Sequence, residues 1–191
     1  MSRPTLDELK SLWLNAYSRS SLQQASRWVD EMESTAPQSE KFRALLCATV
    51  VAYARPFTQS QVTPTELIRP LAHVPAPPHL QSTHQRLLDF RNKVIGHTDA
   101  TPAKGHAESA NIVLLNHDAT GYDLHTKLPI DMDVTLRKEL KELCAHFVNH
   151  CERELRPPMQ QYLPEVMGHP PDIYELVVSE PPNHWLKLHR P

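Results

Sequence analysis

Glycine is scarce in this sequence, with four residues among 191, and cysteine is almost as rare, with three. So few glycines exclude a fold built on many tight hairpins. An odd and small number of cysteines, namely Cys47, Cys144 and Cys151, argues against a disulfide scaffold and is typical of reduced thiols in the cytosol. We therefore expect a cytoplasmic protein without structural disulfides.

Long apolar runs and an excess of positive charge are also missing. No stretch approaches the roughly 18 apolar residues that a membrane-spanning helix needs, and the opening MSRPTLDELK has no apolar signal core. The formal net charge is -2, so the surface as a whole would not attract nucleic acid. We expect a soluble chain that stays out of the membrane and touches nucleic acid, if at all, through a local patch.

Proline is abundant instead, with 18 residues, and its clusters at 70–78 and 157–182 would punctuate long helices. Between these clusters, apolar residues recur at helical spacing. The predicted helical segments span 4–18, 21–34, 79–95 and 133–155, another runs from Ser39 to near YARPF, and a short helix spans 63–71. Ser39 would cap the helix that follows it, and Pro56 would end that helix within YARPF.

The predicted architecture is all-α, an up-and-down bundle of four main helices plus a short helix. Two extended runs around Gly121 predict a small β-hairpin inserted at about 110–130. The bundle with this insertion would cover 1–156. Residues 157–191 are proline-rich but contain IYELVV and WLKL, too much apolar surface for a disordered tail, so we expect a docked C-terminal arm.

The stretch DFRNKVIGHTDA contains Arg91 and His97 near the end of a predicted helix. Residues six apart on an ideal helix are separated by about 600°, or roughly 240° after one full turn, so they do not share a face. Either the helix ends at Gly96 and His97 turns back, or two chains contribute across a two-fold axis. A plainer interpretation is that both side chains only complement the negative end of the helix.

This stretch resembles the motif of the HEPN domain family. RNKVIGH, residues 91–97, is similar to the family's R-x(4–6)-H pattern with an Asn after the Arg, and YARPF followed by RNKVIGHTD resembles the subgroup associated with phage abortive infection. The resemblance covers about 5–156. It implies a small helical bundle, a metal-independent endoribonuclease of toxin or phage-defence type, and a homodimer with a composite cleft.

The chemistry of such an enzyme fits these residue types. RNA is cut without a metal when its own 2′-OH attacks the adjacent phosphate, which requires a base, an acid and a cation. His97 suits proton transfer near neutral pH, and Arg91 presents a permanently charged fork to phosphate oxygens. We therefore predict Arg91 and His97 as catalytic residues, with RNA as substrate and with no metal or cofactor.

Four further residues are candidates for supporting this site or binding RNA, namely Asn92, Lys93, Arg55 and Asp99. Asn92 would add a neutral donor next to the arginine. Arg55 would point toward the motif if the neighbouring helices pack side by side, or it would cap its own helix. Asp99 would bond His97 and fix its tautomer, or it would start a turn with Thr98.

The sequence raises two further questions, a metal site in CAHFVNHC and a function without catalysis. CAHFVNHC offers His146 and His150 on one helical face, but no Glu follows the first His and the cysteines lie off that face, so we expect no metal site. The second function class is a non-catalytic HEPN-like module that binds a nucleotide or a protein partner, such as an antitoxin or a defence enzyme. An Arg91 buried in a salt bridge would favour this class.

Overall fold

Most of the described chain is helical, as the sequence predicts. The computed structural model describes residues 4–37, 39–63, 66–92, 112–118, 121–127, 132–167, 174–176 and 186–188. Within these ranges there are four α-helices: α1 (Leu6–Glu33), α2 (Glu40–Ala54), α3 (Gln81–Phe90) and α4 (Val134–Met167).

The described strands form three antiparallel pairs. These pairs are β1 (Ser60–Thr63) with β2 (Glu66–Ile68), β3 (Ile112–Asp118) with β4 (Gly121–Lys127), and β5 (Tyr174–Leu176) with β6 (Leu186–Leu188). In the second pair the register runs from Ile112 opposite Lys127 to Asp118 opposite Gly121.

The short helix predicted at 63–71 is wrong. Thr63 pairs with Glu66 in the first strand pair, and the chain then turns, with the Ala72 N–H donating to the Arg69 carbonyl at 3.3 Å. Two local preferences explain the difference. Pro70 disfavours helical geometry at Arg69, and β-branched Thr63 favours an extended backbone.

Helix α1 joins two segments that the sequence pattern separates, 4–18 and 21–34. It begins with a capping box, in which the Thr5 N–H donates to Glu8 Oε2 at 2.7 Å and the Glu8 N–H donates to Thr5 Oγ1 at 3.3 Å. The serine-rich stretch between the segments lowers helix propensity but contains no proline or glycine. The backbone therefore continues as a single helix.

Helix α2 agrees with its prediction. The Phe42 N–H donates to Ser39 Oγ at 3.1 Å, which confirms the predicted cap. The helix ends at Ala54, as expected from the proline at position 56. Its inner face is buried, and Val50 and Tyr53 have no exposed surface. These apolar side chains make α2 a core helix of its compact unit.

Helix α3 is shorter than the predicted 79–95 segment within the described residues. A 3₁₀ turn over Pro78–Leu80 precedes it, and a wider π-type turn at residues 91 and 92 follows it. On the core side of α3, Leu87 and Phe90 have no exposed surface, and Leu80 in the preceding turn is nearly inaccessible. The predicted helix end near Gly96 lies outside the described residues.

Helix α4 begins as predicted but continues past the RPP sequence that was expected to end it. The Leu136 N–H donates to Asp133 Oδ1 at 2.7 Å, an N-terminal cap. Pro157 and Pro158 remove two backbone donors from the helix. Leu155 and Tyr162, seven positions apart on one side, are nevertheless buried, and this burial stabilises the continuation to Met167.

The chain divides into two compact units. The first unit comprises 1–23, 55–75 and 145–191, and the second comprises 24–54 and 76–144. In the first unit the Phe57 ring packs edge to face on Phe147, with ring centroids 4.8 Å apart. The Leu71 N–H also donates to the Pro56 carbonyl at 2.9 Å. These contacts hold the segment after α2 against α4.

Polar contacts join the helices of the second unit. Thr83 Oγ1 on α3 donates to Glu139 Oε2 on α4 at 2.6 Å. The Lys141 ammonium on α4 donates to Asp30 on α1. The side chains of this second pair are about half exposed, so the first contact, which is partly buried, contributes more to holding the unit together.

Candidate functional site

Arg91 and Asn92 lie in the turn that follows α3, in the second unit. The Arg91 backbone N–H bonds the Leu87 and Leu88 carbonyls, which continues the helical hydrogen bonding. Arg91 Nη1 donates to Asn92 Oδ1 at 3.0 Å. Arg91 is half-buried and Asn92 is exposed, and Arg91 forms no salt bridge with any described residue. The structure thus brings together two of the predicted site residues.

The remaining residues of the predicted motif lie outside the described ranges. These are Lys93, His97 and Asp99. The pairing of Arg91 with His97 therefore stays a prediction from the sequence motif, as does the proposed bond between Asp99 and the imidazole.

Arg55 belongs to the first unit and begins the 3₁₀ turn Arg55–Phe57 directly after α2. Its carbonyl accepts hydrogen bonds from the Thr58 N–H at 3.3 Å and the Thr58 hydroxyl at 3.1 Å. Pro56 and Phe57 are buried, whereas the Arg55 side chain is exposed. The backbone of Arg55 closes the turn, and a role for its guanidinium in the motif stays a prediction.

A tyrosine–histidine pair joins α2 to α3 in the second unit. The Tyr53 hydroxyl and His84 Nδ1 share a hydrogen bond of 2.6 Å, and the two rings meet edge to face with centroids 5.9 Å apart. Burial raises the pKa of Tyr53 far above its usual range and lowers the pKa of His84. Both groups are therefore neutral at pH 7, which suits a buried hydrogen bond.

This pair also orients the end of α3. His84 precedes Arg91 by seven positions, or about two turns, so both residues lie on the same side of the helix, roughly 10 Å apart along its axis. The bond from Tyr53 to His84 fixes that side relative to α2, and the bond from Thr83 to Glu139 fixes the helix relative to α4. His84 meets Tyr53 through the packing of α2 on α3, a contact that no spacing in the sequence predicts.

Asp89 adds a second charged group near the end of α3. Gln85 Nε2 donates to Asp89 Oδ1 at 2.9 Å. The other oxygen, Asp89 Oδ2, is buried and has no hydrogen-bond partner among the described residues. An unpaired buried carboxylate oxygen is costly, so the described contacts leave Asp89 only partly satisfied.

The two cysteines of CAHFVNHC are buried thiols. Burial raises the pKa of Cys144 to about 12 and that of Cys151 to about 11. At neutral pH both therefore stay protonated, the form that neither binds metal nor acts as a nucleophile. Among the residues that the structure describes, no group of three or more His, Cys, Asp or Glu side chains could hold a metal ion.

The two histidines of the same stretch contact the turn before α3, within the first unit. His146 Nε2 lies 3.1 Å from the Pro75 carbonyl oxygen. The His150 ring meets the His73 ring, with centroids 6.1 Å apart and planes at 72°. No local pattern predicts a role for His73, because it lies in a proline-rich connector and meets His150 only through the tertiary fold.

The chain matches no family model, no curated protein and no solved structure. The resemblance to HEPN domains therefore rests on the motif around Arg91 and on the helical character of the chain. Across the described ranges, no helix combines the length and the apolar character that a membrane crossing requires.

Proposed function

We propose that this chain is a metal-independent endoribonuclease of HEPN type that acts as a toxin or phage-defence effector. Arg91 would hold the scissile phosphate, and His97 would transfer protons. The observation that supports this assignment is the position of Arg91. It lies at the end of α3, half-exposed and without a salt bridge to any described residue, so its charge is not consumed by a structural partner there.

The reaction follows from the chemistry of RNA. A base takes the proton of the 2′-OH, the 2′-oxygen attacks phosphorus, and the bond to the 5′-oxygen breaks as an acid returns a proton to it. In a composite cleft, one His97 takes the first proton and the His97 of a second copy gives the other. Arg91 stabilises the charge on the phosphate oxygens, and Asn92 holds the guanidinium through its Oδ1.

The proposed enzyme is a homodimer of helical bundles. Two copies would meet through the ends of their α3 helices in the cytoplasm, with Lys93, Arg55 and Asp99 supporting the site. The bundle would be up-and-down, with a hairpin inserted at about 110–130. The predicted arm 157–191 begins inside α4, so only the part of it after Met167 would dock as an arm. An antitoxin or defence enzyme would be the protein partner.

The deciding experiment is RNA cleavage in EDTA. The purified chain, His97→Ala and Arg91→Ala are incubated with end-labelled RNA and with DNA of the same sequence. The wild type should cut RNA only, because DNA lacks the attacking 2′-OH. Each variant should be about 100- to 10,000-fold slower. Arg43→Ala, which removes an exposed arginine of α2, is the matched control and should leave the rate unchanged.

Three outcomes would count against the proposal. Cleavage of DNA would rule out 2′-OH attack, and equal cleavage by wild type and His97→Ala would remove the histidine from the mechanism. Absence of cleavage on a broad set of RNAs would favour the non-catalytic module that binds a nucleotide or a protein. Sedimentation tests the composite site separately, since a strict monomer at micromolar concentration has no second His97.

A further inference from the structure

A polar cleft of about 370 Å³ lies within the first compact unit. Three elements line it: the first turns of α1, the turn at 69–75 and the middle of α4. Two imidazoles, His73 and His150, face it from the second and third of these elements. We refer to it as the histidine cleft.

The α1 wall of the histidine cleft is a polar stripe. Asp7, Lys10, Ser11 and Leu14 follow one another at helical spacing, so they share one side of α1. Leu9, which points to the other side, has no exposed surface. The Lys10 ammonium lies 4.0 Å from Asp7 Oδ1, and the lysine side chain is 20% exposed against 95% for the aspartate. The lysine side chain is therefore the more enclosed of the two.

The position of His73 is fixed by its neighbours in the turn. Leu71 is buried, and its N–H donates to the Pro56 carbonyl at 2.9 Å. The Val74 N–H donates to the Leu71 carbonyl at 3.0 Å, which closes the turn around His73. His146 contacts the Pro75 carbonyl from α4. The backbone of the turn is thus anchored on both sides of His73, which lowers the entropic cost of placing the imidazole at the cleft.

The surroundings of His150 disfavour its protonation. Burial lowers the pKa of His150, and the positive charges of His73, Arg153 and His146 lower it further, while Glu154 one turn away raises it. The neutral form of His150, which can accept a proton from water, is therefore favoured near pH 7. The edge-to-face contact with His73 places a second imidazole beside this base.

One neutral and one protonated imidazole are what phosphodiester hydrolysis needs, since it requires a base for water and an acid for the leaving oxygen. Lys10 supplies a cation for the phosphate oxygens. The carboxylates Asp7 and Glu154 oppose anion binding. However, Asp7 extends into solvent beside Lys10, and Glu154 lies one turn from His150 on α4, where it also tunes the imidazole.

We propose that the histidine cleft binds the 2′,3′-cyclic phosphate at the end of an RNA product and hydrolyses it, with His150 as base and His73 as acid. The proposal rests on the proposed function for the source of this substrate, because cleavage by 2′-OH attack leaves a cyclic phosphate end. A cleft of about 370 Å³ is at the lower end of the range for ligand sites. This volume suits one terminal nucleotide better than a continuous strand.

The step is balanced with water as the only co-reactant. His150 takes a proton from the water molecule, and the hydroxide oxygen forms a bond to phosphorus. The bond from phosphorus to the 2′-oxygen breaks, and His73 gives its proton to that oxygen. The product is a 3′-phosphate monoester with a free 2′-OH. The pair returns to its starting state when His150 passes its proton through solvent to His73.

The experiment uses a 2′,3′-cyclic mononucleotide as the substrate, so it does not depend on RNA cleavage. The purified full chain is incubated with 2′,3′-cyclic CMP in EDTA, and conversion to the monoester is followed by phosphorus NMR. We expect turnover by the wild type and a loss of about 100-fold or more in His73→Gln and in His150→Gln. His79→Gln removes an exposed histidine of the other unit and should keep the full rate.

Two further measurements distinguish chemistry from a folding defect. Added imidazole should partly restore turnover in His73→Gln, which a merely structural role would not allow. The Glu154 carboxylate raises the pKa of His150. In Glu154→Gln the acidic limb of the rate–pH profile should therefore move to lower pH, while the alkaline limb of the profile keeps its position. If His73→Gln or His150→Gln fails to fold, the wild type still tests the site. Inorganic phosphate added to it should perturb the ring NMR signals of His73 and His150 and inhibit turnover.

The outcomes separate this inference from the proposed function. Hydrolysis of the cyclic nucleotide without RNA cleavage would support the activity proposed for the histidine cleft and contradict the proposed nuclease activity. RNA cleavage that depends on His97, with no cyclic nucleotide hydrolysis, would contradict the activity proposed for the histidine cleft and support the nuclease. Equal turnover in His79→Gln, His73→Gln and His150→Gln would also contradict the proposed role of the two histidines. The same holds if added phosphate leaves the ring signals of His73 and His150 unchanged.

Discussion

His84 and His150 occupy different surroundings in the two compact units. His84 lies on α3, is half-buried and shares a short hydrogen bond with Tyr53 of α2. His150 lines an open cleft, faces His73 and has Glu154 one turn further along α4. Burial lowers the pKa of both imidazoles, so the two sites differ in partners and access and not in the direction of the shift.

This difference separates a structural histidine from one that can act on a ligand. A neutral imidazole that hydrogen-bonds a buried tyrosine stabilises the packing of two helices. A neutral imidazole that faces solvent, a second imidazole and a lysine has a route for a proton to a substrate. Access and neighbouring groups therefore indicate function here, and the pKa shift alone does not.

The largest expected effect comes from the core next to the cleft. Phe147 lies between the two histidines of α4, has no exposed surface and packs on Phe57. Phe147→Ala should lower the free energy of unfolding by about 3–5 kcal/mol, measured by urea denaturation. Asn149→Ala, at an exposed position of the same helix, should change it by less than about 0.5 kcal/mol. Similar values for both variants would contradict the assignment of Phe147 to the core.

A smaller loss in the free energy of unfolding is expected when the hydrogen bond between Tyr53 and His84 is broken. Tyr53→Phe removes the hydroxyl but keeps the ring, so His84 Nδ1 loses its partner in a partly buried site. We expect a loss of about 1–3 kcal/mol in the free energy of unfolding. Tyr17→Phe, at a half-exposed ring that stacks on Trp13, is the matched control. A loss no greater than the control's would mean that the short hydrogen bond contributes nothing to stability.

The pH dependence of stability should also report the enclosed histidine. The pKa of His84 is lowered on folding, so the unfolded chain binds a proton more readily. The free energy of unfolding should therefore fall as the pH drops through the unfolded value of about 6.5, and continue to fall until the folded ring is protonated. His84→Gln should flatten this slope in acid denaturation. An NMR titration of the folded ring with a midpoint above about 6.5 would contradict this.

The sequence predicted those parts of the fold that depend on local signals. Ser39 and the proline in YARPF predicted both ends of α2, and the apolar spacing predicted the buried face of α4. The predictions failed where tertiary burial outweighs a local signal. Pro157 and Pro158 do not end α4, because Leu155 and Tyr162 are buried on the same side.

The candidate sites show the same limit. The sequence placed Arg91 near the end of a helix, where it lies, and the motif that carries the nuclease hypothesis is contiguous in the chain. It could not pair Tyr53 with His84, because that contact depends on how α2 packs on α3. It could not bring His73 to His150 either, since no local spacing links a proline-rich connector to the middle of a later helix.

The smallest expected effect concerns an exposed ion pair of the second unit, which tests whether enclosure rather than charge stabilises a polar contact. The ammonium of Lys141 donates to Asp30, but the two side chains are 42% and 54% exposed. A double-mutant cycle of Asp30→Ala and Lys141→Ala should give a coupling free energy of about 0.2–1 kcal/mol that falls further with added salt. The matched comparison is a cycle of Tyr53→Phe and His84→Ala in the same unit. A coupling larger for the ion pair than for the neutral, enclosed pair would contradict the comparison, because it would make charge the stronger contribution.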